Sequence, residues 1–372
     1  MAVTIQSLTE EYVPAVKEFN ARLTAASVPF DLRFPEYSIS DWLPKIEQRR
    51  LYQENFILLE DGVVRGGYRV KRQDFSFRGK ILAVDCFHWP MSEAMINSAY
   101  SWVFVLMLRH VQKNQPLLYS LGMAGSAETL IPRILKAAGW KVRTLPFFFK
   151  INHPRQFLHE IQPMRKTALR RWLLDTIARI GIGALPIRTI QRLRTTGIRA
   201  SEEAERVRGF AAWANDLWNQ CKDRYAMIAV RDTESLSILY PAGNERFLSY
   251  KISREKKILG WAVLLDTQMR SNKYFGNMRV GTILDCLAEP EEAGAVVRAA
   301  TRILEERGVD LIVSNQSQSD WCSALRKTGF FSGPSNFSFG VSQALSKLLS
   351  PFESAVPQVH LTRGDGEGPL HL

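Results

Sequence analysis

Apolar and polar residues change period along this chain, and the successive periods come in two matching series. Asn55 to Glu60 is an apolar run that reaches Asp61-Gly62 and resumes from Val63 to Val70, the pattern of two strands joined by a tight hairpin. Farther on, Phe247 to Ile252 and Ile258 to Leu265 flank the charged turn Ser253 to Lys257, with Gly260-Trp261 corresponding to Gly67-Tyr68. Each series then has an apolar run ending in Asp-Cys, Ile81 to Cys86 and Thr282 to Cys286, followed at equal distance by Pro90 and Pro290. After each proline the spacing predicts a helix. Ile96, Ala99, Tyr100, Val103, Phe104, Met107 and Val111 recur at three and four residues, as do Ala293, Val296, Val297, Ala300, Ile303 and Leu304. Proline suits a first helical turn, where its missing N–H has no intrahelical partner.

A further strand, a small-residue loop and another helix close each series. The strands are Leu117 to Leu121 and Asp310 to Ser314, and the helices end in Ala138-Gly139-Trp140 and Thr328-Gly329-Phe330. The aromatic strands Phe147-Phe148-Phe149 and Phe337-Ser338-Phe339 follow. The first series opens on a helix predicted from Ser7, where Ser7-Leu8-Thr9-Glu10 fits a capping box and Val13, Val16, Phe19 and Leu23 form an apolar face. Its counterpart is predicted from Ser201 to Trp218. The repeat implies an α/β (α+β, mixed-sheet) fold of two tandem modules, each a twisted mixed sheet flanked by helices. The expected divisions are 1–152, a basic helical connector over 153–196, a second module over 197–345 and a flexible tail over 346–372.

At 372 residues the chain exceeds what one core usually organises, which agrees with two modules. Cys86, Cys221, Cys286 and Cys322 form no CxxC pair, so they read as buried or neutral thiols rather than a zinc ribbon or a disulfide framework. The start lacks a basic segment followed by an apolar one, and no stretch is long and apolar enough to span a bilayer, so a cytoplasmic location is expected. Of the net charge of +12, most lies between Asn152 and Ala200, where ten basic residues face only Glu160 and Asp175. Such a stretch suits an anionic membrane surface, RNA or ligand phosphates, or is a solvated linker face.

Asp285-Cys286-Leu287-Ala288-Glu289-Pro290, Ala324 to Phe330 and Leu135 to Trp140 resemble segments of the GNAT superfamily of acyl-CoA-dependent N-acyltransferases, and the likeness covers 3–152 and 197–342. Tyr119-Ser120-Leu121-Gly122-Met123, Val230-Arg231-Asp232 and the tail His360 to Asp365 are similar to bacterial tandem-GNAT proteins with surface-polysaccharide functions. The resemblance implies a splayed pair of parallel strands with the thioester arm of acyl-CoA between them. It also implies a pyrophosphate held at the following helix start, by Met91, Ser92, Glu93 and Ala94 in one module and from Glu291 through Glu292, Ala293 and Gly294 in the other.

The residues depart from that pattern in two ways. Neither loop has the family's glycine-bearing phosphate signature, and Glu291-Glu292 would repel phosphate. The tyrosine that relatives use to protonate the leaving thiolate is replaced by Leu135 and Leu325, leaving Tyr119 or Tyr100 as alternatives. Asp85 and Asp285 hold the strand position of a family carboxylate and suit deprotonation of an attacking amine, or else bond the next loop; His88 is a competing base. Arg363 and Asp365 are candidate contacts to the substrate if the tail covers the acceptor site, and otherwise belong to a frayed end. The expected activity is acyl transfer from acyl-CoA, without metal, to an amino group of a small molecule or saccharide precursor. The connector would then rest on the inner membrane face. The alternatives are a Fem-type peptidyltransferase using aminoacyl-tRNA, and a catalytically degenerate binding or scaffold protein.

Overall fold

The computed structural model describes residues 2–29, 32–123, 129–165 and 202–366, with residues 167, 176, 189 and 191 between them. It divides into two units. One comprises Met1–Phe75, Lys80–Thr144 and Ser338–Phe352; the other comprises Ser76–Gly79, Leu145–Phe337 and Glu353–Leu372. Both contain a mixed sheet flanked by helices, the α/β architecture expected from the repeat.

The first unit contains β1 (Val3–Ser7), β2 (Tyr52–Glu60), β3 (Val63–Phe77), β4 (Lys80–Ser92), β5 (Leu118–Leu121) and β6 (Lys141–Thr144). A strand from far down the chain, β15 (Ser338–Val341), lies between β5 and β6, giving the order β1-β2-β3-β4-β5-β15-β6. The β2–β3 turn is Asp61-Gly62, both residues at positive φ, as the Asp-Gly step requires. Alternation decides the two faces. Phe56, Leu58, Tyr68, Val70, Phe87 and Leu118 pack with the helix Trp102–Asn114, whereas Ile57, Leu59 and Val64 pack with the helix Val13–Ala25.

The second unit contains β7 (Phe147–Ile151), β8 (Glu203–Arg206), β10 (Leu248–Arg254), β11 (Lys257–Gln268), β12 (Arg279–Ala288), β13 (Leu311–Asn315) and β14 (Phe331–Gly333), in the order β14-β7-β13-β12-β11-β10-β8. Apart from that sheet path, β9 (Met227–Ala229) pairs in parallel with β16 (Val359–His360). The helix Ala293–Glu306 follows β12. In both units the meander and the following helix approach too closely for a side chain at one glycine. A Cβ on Gly66 would lie 2.7 Å from Val103 Cγ1, and one on Gly260 would lie 2.5 Å from Val296 Cγ2. Gly66, rather than Gly67, is therefore the counterpart of Gly260.

Several expectations are corrected. The aromatic strands do not close their own series: β7 inserts between β13 and β14, and β15 between β5 and β6. A period of two specifies a strand and its buried face but is blind to which of two similar slots receives it. The divisions at 152 and 345 consequently differ from the folded units. The chain starts with a strand and not a helix; Ser7 Oγ donates to Glu54 Oε1, no capping box forms, and the helix begins at Val13. Likewise β8 precedes a helix that starts only at Ala212. Pro290 does open a helical turn, but Pro90 lies inside β4, and the helix after it begins at Trp102. The segment after residue 345 is folded through residue 366, with helices at Gln343–Leu348 and Phe352–Ala355.

Phe148 of β7 and Phe339 of β15 are fully buried. Replacing either by alanine is expected to cost about 3–5 kcal/mol in urea unfolding, because the transferred strand loses the side chain that seats it.

Candidate functional site

In each sheet a parallel pair of strands parts. β4 and β5 pair at Asp85↔Leu118 and Cys86↔Tyr119, after which β4 continues to Ser92 while β5 pairs with β15. β12 and β13 pair from Val280↔Leu311 to Ile283↔Ser314, and β12 then runs on to Ala288.

In the second unit this parting is filled by the chain itself. His360 Nε2 lies 2.8 Å from the Cys286 carbonyl, and Tyr225 Oη donates to the Ala288 carbonyl at 2.7 Å. Ser317, just past β13, donates through Oγ to the Val359 carbonyl and accepts from the Leu361 N–H. Behind this plug is a fully buried ionic group. Arg231 Nε is 2.8 Å from Asp285 Oδ2, and its Nη2 is 2.5 Å from Asp365 Oδ1. Tyr240 Oη and Thr362 Oγ1 also donate to Asp285, at 2.7 and 2.9 Å. Burial acts to lower the Arg231 pKa, but Asp285 and Asp365 more than offset it and hold the guanidinium charged. Asp365 also closes a capping box with Thr362, so the tail is anchored by ionic and hydrogen bonds and not frayed. Asp285 is thus the partner of an arginine, and Asp365 faces that arginine and not a substrate. Arg363 is half-buried against the Phe337 ring, 6.0 Å from its centroid.

In the first unit Asp85 is also fully buried between arginines, with Oδ2 2.5 Å from Arg72 Nη1 and Oδ1 2.9 Å from Arg50 Nη2. Burial pushes its carboxyl up while both arginines pull it down. Strand alternation puts Asp85 on the face of the helix Trp102–Asn114, and His88 on the opposite face. Tyr119 is on that opposite face too, its ring 5.3 Å from that of Phe75 and 6.4 Å from that of Phe339. His88 and Tyr119 are therefore brought to one side of the parting, and Asp85 is turned away from them. Tyr100 carries the guanidinium of Arg65 over its ring at 4.5 Å.

A diphosphate needs unshared N–H donors. At the first predicted cradle Met91 is core, Ser92 Oγ accepts from the Ala94 N–H, and the buried Glu93 carboxylate bonds Arg22 Nε and Arg65 Nη1, both at 2.9 Å. At the second, Glu289 and Glu291 pair with Arg224 and Glu292 with Arg254, while the N–H of Ala293 is spent on the Pro290 carbonyl and Gly294 sits against Arg298. Neither place fits the phosphates of acyl-CoA, since the protein's own carboxylates occupy or flank it. Leu135 and Leu325 are fully buried and carry no proton.

Sequence reasoning missed the most unusual wall of the first unit. Gln53 and Asn55 of β2 and Arg69, Lys71 and Gln73 of β3 point to the His88 face, and all are at most 3% exposed. In the sequence their alternation with Tyr68 and Val70 looks like a solvated strand face, and residues 34–51 help to bury them, through Tyr37, Ser40 and Trp42. Trp89 belongs to this face as well, since its φ of 52° breaks the alternation of β4 and turns its ring over Arg69.

All four cysteines are buried, and burial raises the Cys221 and Cys322 thiols to about 12 and about 11. Among the described residues no cluster suits a metal ion, and no helix is long and apolar enough to cross a membrane. The basic stretch from 166 to 196 lies outside the described residues apart from residues 167, 176, 189 and 191.

No family model matches the sequence, and no curated protein resembles it significantly. The fold is that of GNAT-like proteins. A probable N-acyltransferase of Enterococcus faecalis superposes with a TM-score of 0.51 at 10% identity, over 94% of this chain and 75% of that one. A GCN5-related N-acetyltransferase of Anabaena variabilis gives 0.51 at 12%, over 91% and 72%. Saccharomyces cerevisiae N-myristoyltransferase with bound myristoyl-CoA gives 0.50 at 12%, over 91% and 80%.

His360 sets the pH response of the plug. Burial lowers its pKa, so the unfolded chain takes up a proton, near its ordinary value of about 6.5, that the folded protein refuses. This group's contribution to stability is thus full above that value and lost as pH falls below it. The drop in melting temperature between pH 7 and pH 5 is expected to shrink in His360→Gln, measured by calorimetry.

Proposed function

We propose that this protein is an N-acyltransferase whose chemistry is confined to the first unit, at the parting of β4 and β5. The observation that carries this reading is the asymmetry of the two partings. The second is plugged by His360 and Tyr225, whereas in the first strand alternation turns His88 and Tyr119 to one face of the sheet. The structural neighbours support the reaction class, one being described as a probable N-acyltransferase, one as an N-acetyltransferase and one as an N-myristoyltransferase.

In this reading the acceptor amine lies on the His88 face and His88 receives its proton as nitrogen attacks the acyl carbon. Tyr119, on the same face, donates a proton to the leaving thiolate. Asp85 and Asp285 serve the fold through their arginines. The donor is a thioester of the acyl-CoA class, with its phosphates held elsewhere than residues 91–94 and 291–294. An amino sugar or surface-polysaccharide precursor remains the acceptor suggested by the sequence resemblance. A second reading, a binding protein without catalysis, is favoured by the carboxylates at both expected phosphate positions.

The two readings diverge in a thermal-shift experiment on the full chain with acetyl-CoA and myristoyl-CoA. The enzyme reading expects at least one thioester to raise the melting temperature; none doing so sinks it and leaves the binding protein. His88→Ala is then expected to keep the shift while thiol release in the presence of amines falls about 10²–10⁴-fold. Asp85→Asn should lower stability and leave turnover per folded molecule within about tenfold of the parent, against the loss expected of a base.

A further inference from the structure

Gln73 of β3 is 2% exposed, and neither its Nε2 nor its Oε1 has a hydrogen-bond partner among the described residues. Gln53 of β2 is 3% exposed and has half of its amide open: Oε1 accepts from Ser40 Oγ at 3.1 Å, while Nε2 has no partner. Turning the Gln53 amide over exchanges its two polar atoms in front of Ser40, and one of them stays open either way. Buried amide atoms are nearly always bonded, so three open ones on adjacent strands mark a place that something else completes. Gln53 pairs in register with Lys71, two residues before Gln73 on the same face. The two glutamines are therefore diagonal neighbours, with Cα atoms roughly 7–8 Å apart and side chains long enough to reach one small group.

The open atoms fix the chemistry of that group. Gln73 Oε1 is an acceptor and is not met by a bare anion, whose oxygens only accept; Gln73 Nε2 is a donor and is not met by a bare cation. The completing group must donate and accept together. Nε2 and Oε1 of one glutamine lie side by side in a plane, and hydrogen bonds prefer to be near linear, so a single hydroxyl meets one of them well and the other poorly. A second amide meets both, with its N–H on Oε1 and its carbonyl on Nε2, and keeps a further N–H or lone pair for the open atom of Gln53. The neighbouring side chains favour an uncharged group as well. Phe75, next on this face of β3, is completely buried, its ring 5.3 Å from that of Tyr119, and a paired amide is admitted beside such rings at far lower cost than an ion. The chain that meets Gln53 is itself strained: Leu43, buried and at a φ of 60°, accepts through its carbonyl from the Gln53 N–H at 2.8 Å.

We propose that Gln73 and Gln53 bind the uncharged amide group of a small molecule, either the carboxamide of an amino-acid derivative or the acetamido group of a sugar. Recognition of the amide stands on these two residues alone. That its owner is the acyl acceptor rests on the acyl-transfer reading, through the place of both glutamines on the His88 face.

The test reads binding and does not depend on turnover. The melting temperature of the full chain is recorded at rising concentrations of two sets of compounds. One set holds the carboxamides, methyl esters and free acids of the proteinogenic amino acids other than asparagine and glutamine; the other holds N-acetylglucosamine, glucosamine and glucose. A methyl ester keeps the carbonyl of the amide but lacks its N–H, and so leaves Gln73 Oε1 open. An amide is expected to raise the melting temperature in at least one set while its matched ester, acid, amine or alcohol does not, and the set that responds identifies the source of the amide. A matched compound shifting the protein as far as its amide, or no shift in either set, as when the open atoms hold only water, would overturn the proposal. Gln73→Leu adds an independent measurement. The exchange removes two open buried atoms, so the ligand-free protein is expected to melt at an equal or higher temperature while affinity for the responding amide falls about tenfold or more. A variant that melts lower and binds as tightly as the parent would make Gln73 a structural residue and sink its role. Should an amide bind as described without accepting an acyl group, the site stands and its tie to acyl transfer falls; should acyl transfer proceed while no amide shifts the protein, the acyl-transfer reading stands and the amide site falls.

Discussion

Two parallel strands that part leave backbone N–H and C=O groups facing a gap, and buried groups of that kind must be bonded by something. Much of what distinguishes the two units follows from how this is met. In the second, the carbonyls of Cys286 and Ala288 are bonded by the side chains of His360 and Tyr225. The C-terminal segment is drawn in with them and is fastened by the Arg231–Asp285–Asp365 group. An ionic cluster this deeply buried is tolerated because each carboxylate gains further donors from Tyr240, Thr362 and the backbone.

The far edges of the same strands are satisfied by exchange. β5 and β13 each need an antiparallel neighbour on the side away from β4 and β12, and each receives it from the other series, β15 and β7 respectively. Phe339 and Phe148 bury completely in these borrowed positions. The exchange makes each unit depend on a strand from the other series, although the transferred aromatic strands keep the local character their pattern predicts.

Charge is arranged differently on the two faces of the first sheet. On the face of Asp85, acids and bases are matched: Asp74, Asp85 and Glu54 meet Arg50, Arg72 and Lys45. On the face of His88 the buried cation Arg69 meets neutral oxygens and aromatic rings. The first arrangement stabilises the fold. Glu93, held by Arg22 and Arg65, shows that where this protein needs an anion for structure it supplies its own.

By itself the sequence determined the local elements. The hairpin at Asp61-Gly62, the strands that carry the Asp-Cys pairs and the helix termini at Gly139 and Gly329 are each dictated by a period of apolar residues or by a backbone angle that few residues adopt, although both strands run past their Asp-Cys pair, to Ser92 and Ala288. The repeat and its resemblance to an acyltransferase fold were legible for the same reason. The site was legible only in part: His88 and Tyr119 could be named, but Asp85 and Asp285 could not be seen as partners of Arg72 and Arg231, which are distant or unrelated in pattern. Tertiary structure decided which sheet each aromatic strand enters, because both slots accept the same alternation. It decided that the tail fills the second parting, because its anchors come from β12 and from the loop after β9. It also decided that Arg69, Lys71 and Gln73 are buried, because a polar strand face looks solvated until tertiary contacts, among them those of residues 34–51, cover it.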